Sequence, residues 1–136
     1  MKYLLDTNVC IAIIKERPEE VKAKLLKIPI GEIGISSIVL AELWYGIRLS
    51  RKHEHNESAL NEFLEYVTVL DWPEQATPEY GMIRAHLKKK RALIGANDLL
   101  IAAHALALDA VLVTDNVREF ERIPGLKMEN WISRYT

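Results

Sequence analysis

"AVLVT" (residues 110–114) carries no polar side chain before its last position. Three of its five residues are β-branched, and so short an apolar run reads as a strand. Continuous apolarity, instead of an in–out alternation, marks a strand covered on both faces, as in a parallel sheet. The run delivers the chain straight into Asp115 and Asn116. The opening of the chain repeats this grammar. Lys2-Tyr3-Leu4-Leu5 is a strand candidate, and Asp6 follows it in "YLLDTN" (3–8). A carboxylate beside a buried strand is costly unless something offsets its charge. Asp6 therefore either caps the next helix or holds a ligand.

Working outward, strands alternate with helices. Thr7 to Lys15 is helical in pattern, and Pro18 starts a helix that runs to about Lys27. Ile33-Gly34-Ile35 is a second short strand. Ser36-Ser37 offers N-cap chemistry to a helix from Ile38 to about Arg51. The charged stretch "RKHEHNE" (51–57) reads as a link to a helix near Ser58–Tyr66. "VTVL" (67–70) is strand-like, Glu74–Arg91 a long helix, Ile94-Gly95-Ala96 a break and Asn97–Leu108 a strongly apolar helix. A short helix is expected at Val117–Glu121. "IPGL" (123–126) then turns the chain toward a last edge strand and Trp131. Such alternation implies parallel pairing through right-handed crossovers. The expected architecture is one α/β domain over residues 1–136, a three-layer α/β/α sandwich with a central parallel sheet.

Composition narrows the class. The 136 residues are 49% hydrophobic and 27% charged, ordinary for a soluble globular protein. The formal net charge of −1 does not advertise a nucleic-acid binder, so any such contact needs a local basic patch. Cys10 is the single cysteine and lies in an apolar run, which excludes an internal disulfide and suits a reducing, cytoplasmic setting. Neither a secretory signal nor a membrane-length apolar stretch is expected.

In open α/β sheets ligands bind beyond the carboxyl ends of the strands. Asp6 and Asp115 sit at two such ends and are candidates to meet in space. Two further acids lie on helices. In "SSIVLAELWYGIRLS" (36–50), Ile38, Glu42, Tyr45 and Leu49 share one face, which puts Glu42 on an apolar stripe. In "NDLLIAAHALAL" (97–108), Asp98 shares a face with Ile101, Ala102 and Ala105. A salt bridge for Glu42 and helix-dipole complementation for Asp98 are the bland readings. Taken together they are weaker than one by one, because core-facing carboxylates repel. At ~4 Å and an effective dielectric of about 20, each pair costs on the order of 4 kcal/mol. Either protonation or a divalent cation relieves this, and oxygen-only ligands suit Mg²⁺ or Mn²⁺. No Cys/His pairing suggests zinc.

"LLDTN", "SSIVLAELWYGI", "IGANDLLIAAHAL" and "LVTDNVREFERIPGLKMENW" together resemble the PIN domain, most closely the VapC toxins of bacterial toxin–antitoxin systems. The likeness runs from residue 3 to about residue 131. It implies a Mg²⁺-dependent endoribonuclease whose acidic positions fall on Asp6, Glu42 and Asp98. The family often has a fourth acid after the penultimate strand. Asn116 stands there in this chain, with Asp115 beside it. Thr7, Ser36 and Thr114 would support the acids through their hydroxyls. The resemblance further implies RNA as substrate (initiator tRNA in similar toxins), metal-activated water as nucleophile, a homodimer, and a VapB-type antitoxin in a hetero-oligomer. The alternative is a non-catalytic PIN-like module that binds RNA or protein.

Other features are weaker. "RAHLKKKRALIG" (84–95) concentrates Arg84, Lys88, Lys89, Lys90 and Arg91 ahead of Asp98, either to guide RNA phosphates or as a solvated helix end. The apolar helices at 11–28 and 38–49 are candidates to form a groove for a partner helix. His53 and His55 fall in the charged stretch, and His104 reads as a packed histidine. Trp44 and Tyr45 beside Glu42 read as packing or interface residues more than as base-stacking ones. A receiver domain would place a lysine at a later strand end and a haloacid-dehalogenase-type phosphatase an Asp-x-Asp. This chain has Asp6-Thr7-Asn8 and no matching lysine.

Overall fold

Leu4, Leu5, Leu112 and Val113 have no exposed surface, and the sheet is organised around them. In the computed structural model, which describes residues 1–132, β1 (Tyr3–Leu5) is the central strand. It pairs in parallel with β2 (Ile33–Ser36) on one side and with β4 (Val111–Val113) on the other. β3 (Thr68–Leu70) extends the sheet beyond β2, and β5 (Met128–Glu129) extends it beyond β4. All four pairings are parallel, and the order is β3-β2-β1-β4-β5.

Parallel neighbours need long crossovers, and helices supply them. α1 (Thr7–Lys15) and α2 (Glu19–Leu26) join β1 to β2. α3 (Ser37–Leu49) and α4 (His53–Phe63) join β2 to β3. α5 (Ala76–Lys89) and α6 (Ala96–Leu108) carry the chain back to β4. α7 (Val117–Phe120) precedes β5. Because crossovers are right-handed, reversing direction after β3 transfers the helices to the other face of the sheet. The result is the expected three-layer sandwich, with α1 packed on α2, α3 and α4, and α5 packed on α6. Strand order reverses between β1 and β4, which makes the carboxyl end of that pair the natural crevice.

One expected element differs. The stretch 51–57 is no link: α4 begins at His53, runs to Phe63 and closes in a 3-10 turn at Leu64–Tyr66. Glu and Lys are good helix formers, so charge marks exposure without excluding a helix. Its burial comes from Leu60 and Phe63 near its end. Pro18 precedes α2 as its N-cap instead of entering it. Trp72 ties the layers at the crevice. Its backbone N–H donates to Ser37 Oγ at 3.2 Å and its indole N–H to the Leu100 carbonyl at 2.8 Å.

The sheet's centre and edge should respond differently to truncation. Leu112→Ala removes a fully buried side chain and should cost about 2–5 kcal/mol. Val69→Ala on β3, where the side chain is 39% exposed, should cost less than about 1 kcal/mol. Urea denaturation of both variants checks the ranking, and equal losses would contradict this sheet order.

Candidate active site

Asp6 is where the strand readings and the chemistry meet. Its backbone N–H donates to the Val113 carbonyl at 2.9 Å, which stitches the end of β1 to the end of β4. Its side chain is the N-cap of α1, with Oδ1 accepting the Thr7 N–H at 2.7 Å. Oδ2 accepts the Thr114 hydroxyl at 2.8 Å. The capping reading is therefore correct, and it still leaves lone pairs on both oxygens. Burial raises the Asp6 carboxyl above its ordinary range; its two hydrogen bonds work against that, while the Glu42 and Asp115 charges add to it.

Asp98 lies in the first turn of α6, half-buried, at the same end of the sheet. Its carboxyl is pushed up to about 7, first by burial and then by the Asp6 charge. A side-chain hydrogen bond to Glu119, with the charges of Glu119 and Glu42, raises it further. Glu42 belongs to the cluster by a different route than its stripe suggested. The buried face of α3 is Val39, Leu43 and Ile47, whereas Tyr45 and Leu49 are 67% and 68% exposed. Two apolar stripes run along this helix and only one enters the core, so Glu42 sits at the border. Its Oε1 accepts the Thr7 hydroxyl at 3.0 Å.

Glu119 escaped the sequence reading. Asn116 at the strand end does not face the acids alone: its Nδ2 donates to Glu119 Oε2 at 2.9 Å, and its N–H donates to Thr114 Oγ1 at 3.0 Å. The carboxylate sought after β4 is thus present three residues later, in the single turn of α7. The i, i+3 spacing of Asn116 and Glu119 was the available signal. Ser36 ends β2 beside the end of β1, and its Oγ is used to accept the Ile38 N–H at 3.2 Å and cap α3. Asp115 is near enough to Asp6 to act on it by charge.

Asp6, Glu42, Asp98 and Glu119 enter no ion pair among the described residues. Nor, among those residues, do three of the potential ligands already close into a coordination shell. The donor set is nonetheless all oxygen, cation-free and strained by its own repulsion, which is the chemistry that a hard divalent ion relieves. Cys10 lies beneath, fully buried, its thiol pushed well above the usual range by burial and then by the Asp6 charge. It is a small hydrophobe and no nucleophile.

The remaining candidates sort cleanly. Lys88, Lys89, Lys90 and Arg91 are exposed at the end of α5 and just after it, outside every ion pair among the described residues. Arg84 is occupied on its own helix, with Nη1 donating to the Tyr80 hydroxyl at 2.6 Å. His53 and His55 lie on α4, not in a loop. His104 is buried, its Nδ1 without a partner among the described residues, and burial lowers its pKa.

Residues 3–126 match the PIN domain. The chain is 48% identical over 132 residues to a protein of Rickettsia felis named ribonuclease VapC2, covering 96% of this chain and 98% of that one. It is 42% identical over 131 residues to the tRNA(fMet)-specific endonuclease VapC of Salmonella typhimurium, covering 96% and 98%. Its fold matches a chain in the crystal structure of VapBC2 from Rickettsia felis bound to a promoter DNA fragment. There the TM-score is 0.90 at 45% identity, over 97% of this chain and all of that one.

The acid cluster predicts a pH signature without metal. Asp98 titrates near 7 in the fold against 3.8 as a free side chain, so the fold binds its proton more tightly. That contribution is fully present below pH 3.8 and is lost as pH rises toward 7. The melting temperature in EDTA should fall over this window. Asp98→Asn should flatten the fall and melt roughly 2–5 °C higher at pH 8. Parallel profiles for the two proteins would show that Asp98 is not under charge strain.

Proposed function

The chain belongs to the PIN-domain family, and we propose that it is the ribonuclease toxin of a VapBC-type toxin–antitoxin pair, cutting RNA at the cluster of Asp6, Asp98, Glu42 and Glu119 with Mg²⁺ or Mn²⁺ bound there. The observation that carries this reading is the confrontation of Asp6 and Asp98 at the sheet's switch point, with no counter-cation in an ion pair to either among the described residues.

The bound ion would lower the pKa of a water and neutralise charge on the phosphate under attack. Asp6 and Asp98 would hold it, with Glu119 and Glu42 beside them. Around it the chain's own groups have separable tasks. The Thr7 N–H and the Thr114 hydroxyl fix the Asp6 carboxylate, so its free lone pairs point one way. The Thr7 hydroxyl orients Glu42, leaving its second oxygen to accept a proton from the attacking water. Asn116 steadies Glu119 against Asp98. Attack by water in line with the leaving oxygen gives a 5′-phosphate and a 3′-hydroxyl, and no side-chain nucleophile is required. Lys88, Lys89, Lys90 and Arg91 would draw the RNA backbone toward the crevice.

The relative named as a tRNA(fMet)-specific endonuclease makes initiator tRNA the substrate to try first. The VapBC complexes among the solved relatives supply the partner's class. A groove of about 260 Å³ between α1, α3 and α4, lined by Ile11, Ile14, Leu43, Ile47 and Leu60, suits the apolar face of an antitoxin helix. Glu42 lies on its wall, so an occupant would reach the acids. Exposed Tyr45 and Leu49 flank it and extend the apolar face available to the antitoxin or to a second copy. The described residues contain no helix long and apolar enough to cross a membrane; the working site is the cytoplasm, where tRNA is.

Incubation of initiator tRNA with the purified chain and Mg²⁺ should yield discrete fragments, and EDTA should stop the cleavage. Asp6→Asn and Asp98→Asn should each lower the rate on the order of 100-fold or more while the protein stays folded. Full activity in either variant would remove the acids from the chemistry. A folded wild-type protein that binds tRNA and never cuts any RNA would instead be the non-catalytic module.

A further inference from the structure

α1 has a second flank, and its chemistry differs from the apolar groove. Asn8, Ile11 and Lys15 recur along one stripe of the helix and line a second cleft of about 300 Å³, with Ile11 and Lys15 on the ridge it shares with the groove. Arg17, just past the helix end, lines the same cleft, and Asp115 and Ile132 form part of its other wall. One end of the cleft therefore opens beside the acids, two residues after Asp6. The other end lies about 10 Å away at the helix rise of α1, and it carries two cations. Lys15 and Arg17 are exposed, and neither joins an ion pair among the described residues. A lysine at a helix C-terminus is favoured by the dipole alone. Arg17 lies outside the helix and has no such reason to be there. Nearby Glu16 is paired with Lys22, so it does not neutralise them.

We infer that this cleft is the track for the RNA strand leaving the acids, with Lys15 and Arg17 receiving backbone phosphates of nucleotides that flank the scissile bond. The inference rests on the ribonuclease reading and deepens it. A strand cut at the acids must continue on both sides of the cut. Lys88, Lys89, Lys90 and Arg91 are positioned on the α5–α6 side of the crevice, and the cleft supplies a cationic path on the α1 side. The occupant is a polyanion, since Lys15 and Arg17 put two charges at the far end that no ion pair among the described residues neutralises.

The test uses the full-length chain carrying Asp98→Asn, so that RNA is bound without turnover. Initiator tRNA binding is followed by fluorescence anisotropy across a salt series. Adding Lys15→Ala and Arg17→Ala should weaken binding about 10-fold at 0.1 M salt and reduce the salt slope by about 1.4, at roughly 0.7 per phosphate for a single strand. The charge-keeping pair Lys15→Arg with Arg17→Lys should restore both. Both side chains are exposed, so melting temperatures should coincide and separate this effect from misfolding. In the otherwise wild-type chain the alanine pair should raise KM and leave kcat nearly unchanged. Unchanged affinity and slope in the alanine pair would overturn the track. So would loss of antitoxin binding with RNA binding intact, which would assign the cleft to protein. A wild-type chain that neither cuts nor binds RNA overturns the ribonuclease reading itself, and the track with it.

Discussion

Like-charged carboxylates crowded at one end of a parallel sheet are the constraint around which the molecule is arranged. Asp6, Glu42, Asp98 and Glu119 come from a strand end and three different helices. Nothing in their own chemistry would bring them together. The crowding is imposed by the sheet, whose central strand pair buries Leu4, Leu5, Leu112 and Val113 completely. The free energy that offsets their repulsion comes from apolar burial below the crevice, which does not weaken when the acids ionise. Hydroxyl and amide donors then distribute the strain. Thr7 is bonded to two acids at once, by its N–H to Asp6 and by its hydroxyl to Glu42. The Thr114 hydroxyl donates to Asp6 and accepts the Asn116 N–H, which joins the acid to the start of α7. None of these donors carries a charge, so each aligns a carboxylate without neutralising it. A lysine in place of either threonine would satisfy one acid and occupy the place of the cation.

How much of this was legible in the sequence depended on how local the cause was. The strands were readable because burial on both faces writes an unbroken apolar run, as in "AVLVT" and "YLL". Asp6 was readable because a strand end is a place as well as a residue. α4 was misread in its first half because the polar side of an amphipathic helix and a solvated link have the same composition; what separates them is the packing of Leu60 and Phe63 many residues on. Glu42 was found by its anomaly on an apolar stripe, yet the stripe that enters the core is the neighbouring one, through Val39, Leu43 and Ile47. Periodicity finds faces, and only the rest of the fold decides which face is inside. Glu119 was missed for a related reason. Its spacing from Asn116 was a local signal, but what gives it importance is its contact with Asp98, 21 positions away, which no local pattern encodes.

α1 links the parts of the proposed mechanism. Its N-terminus is capped by an acid of the cluster, one flank borders the apolar groove and the other borders the cationic cleft. Lys15 lines both. A helix is stiff over nine residues, so the three surfaces keep fixed distances from one another and from Asp6. An antitoxin seated in the apolar groove would therefore meet Glu42 at one point and Lys15 at another with no change in the fold. Inhibition built this way needs no conformational signal. On the proposed arrangement the occupant would cover one oxygen of the acid cluster and one phosphate contact of the RNA track. Because RNA binding is salt-dependent through its phosphate contacts and apolar docking is far less so, rising salt would weaken RNA binding more than it weakens binding in the groove.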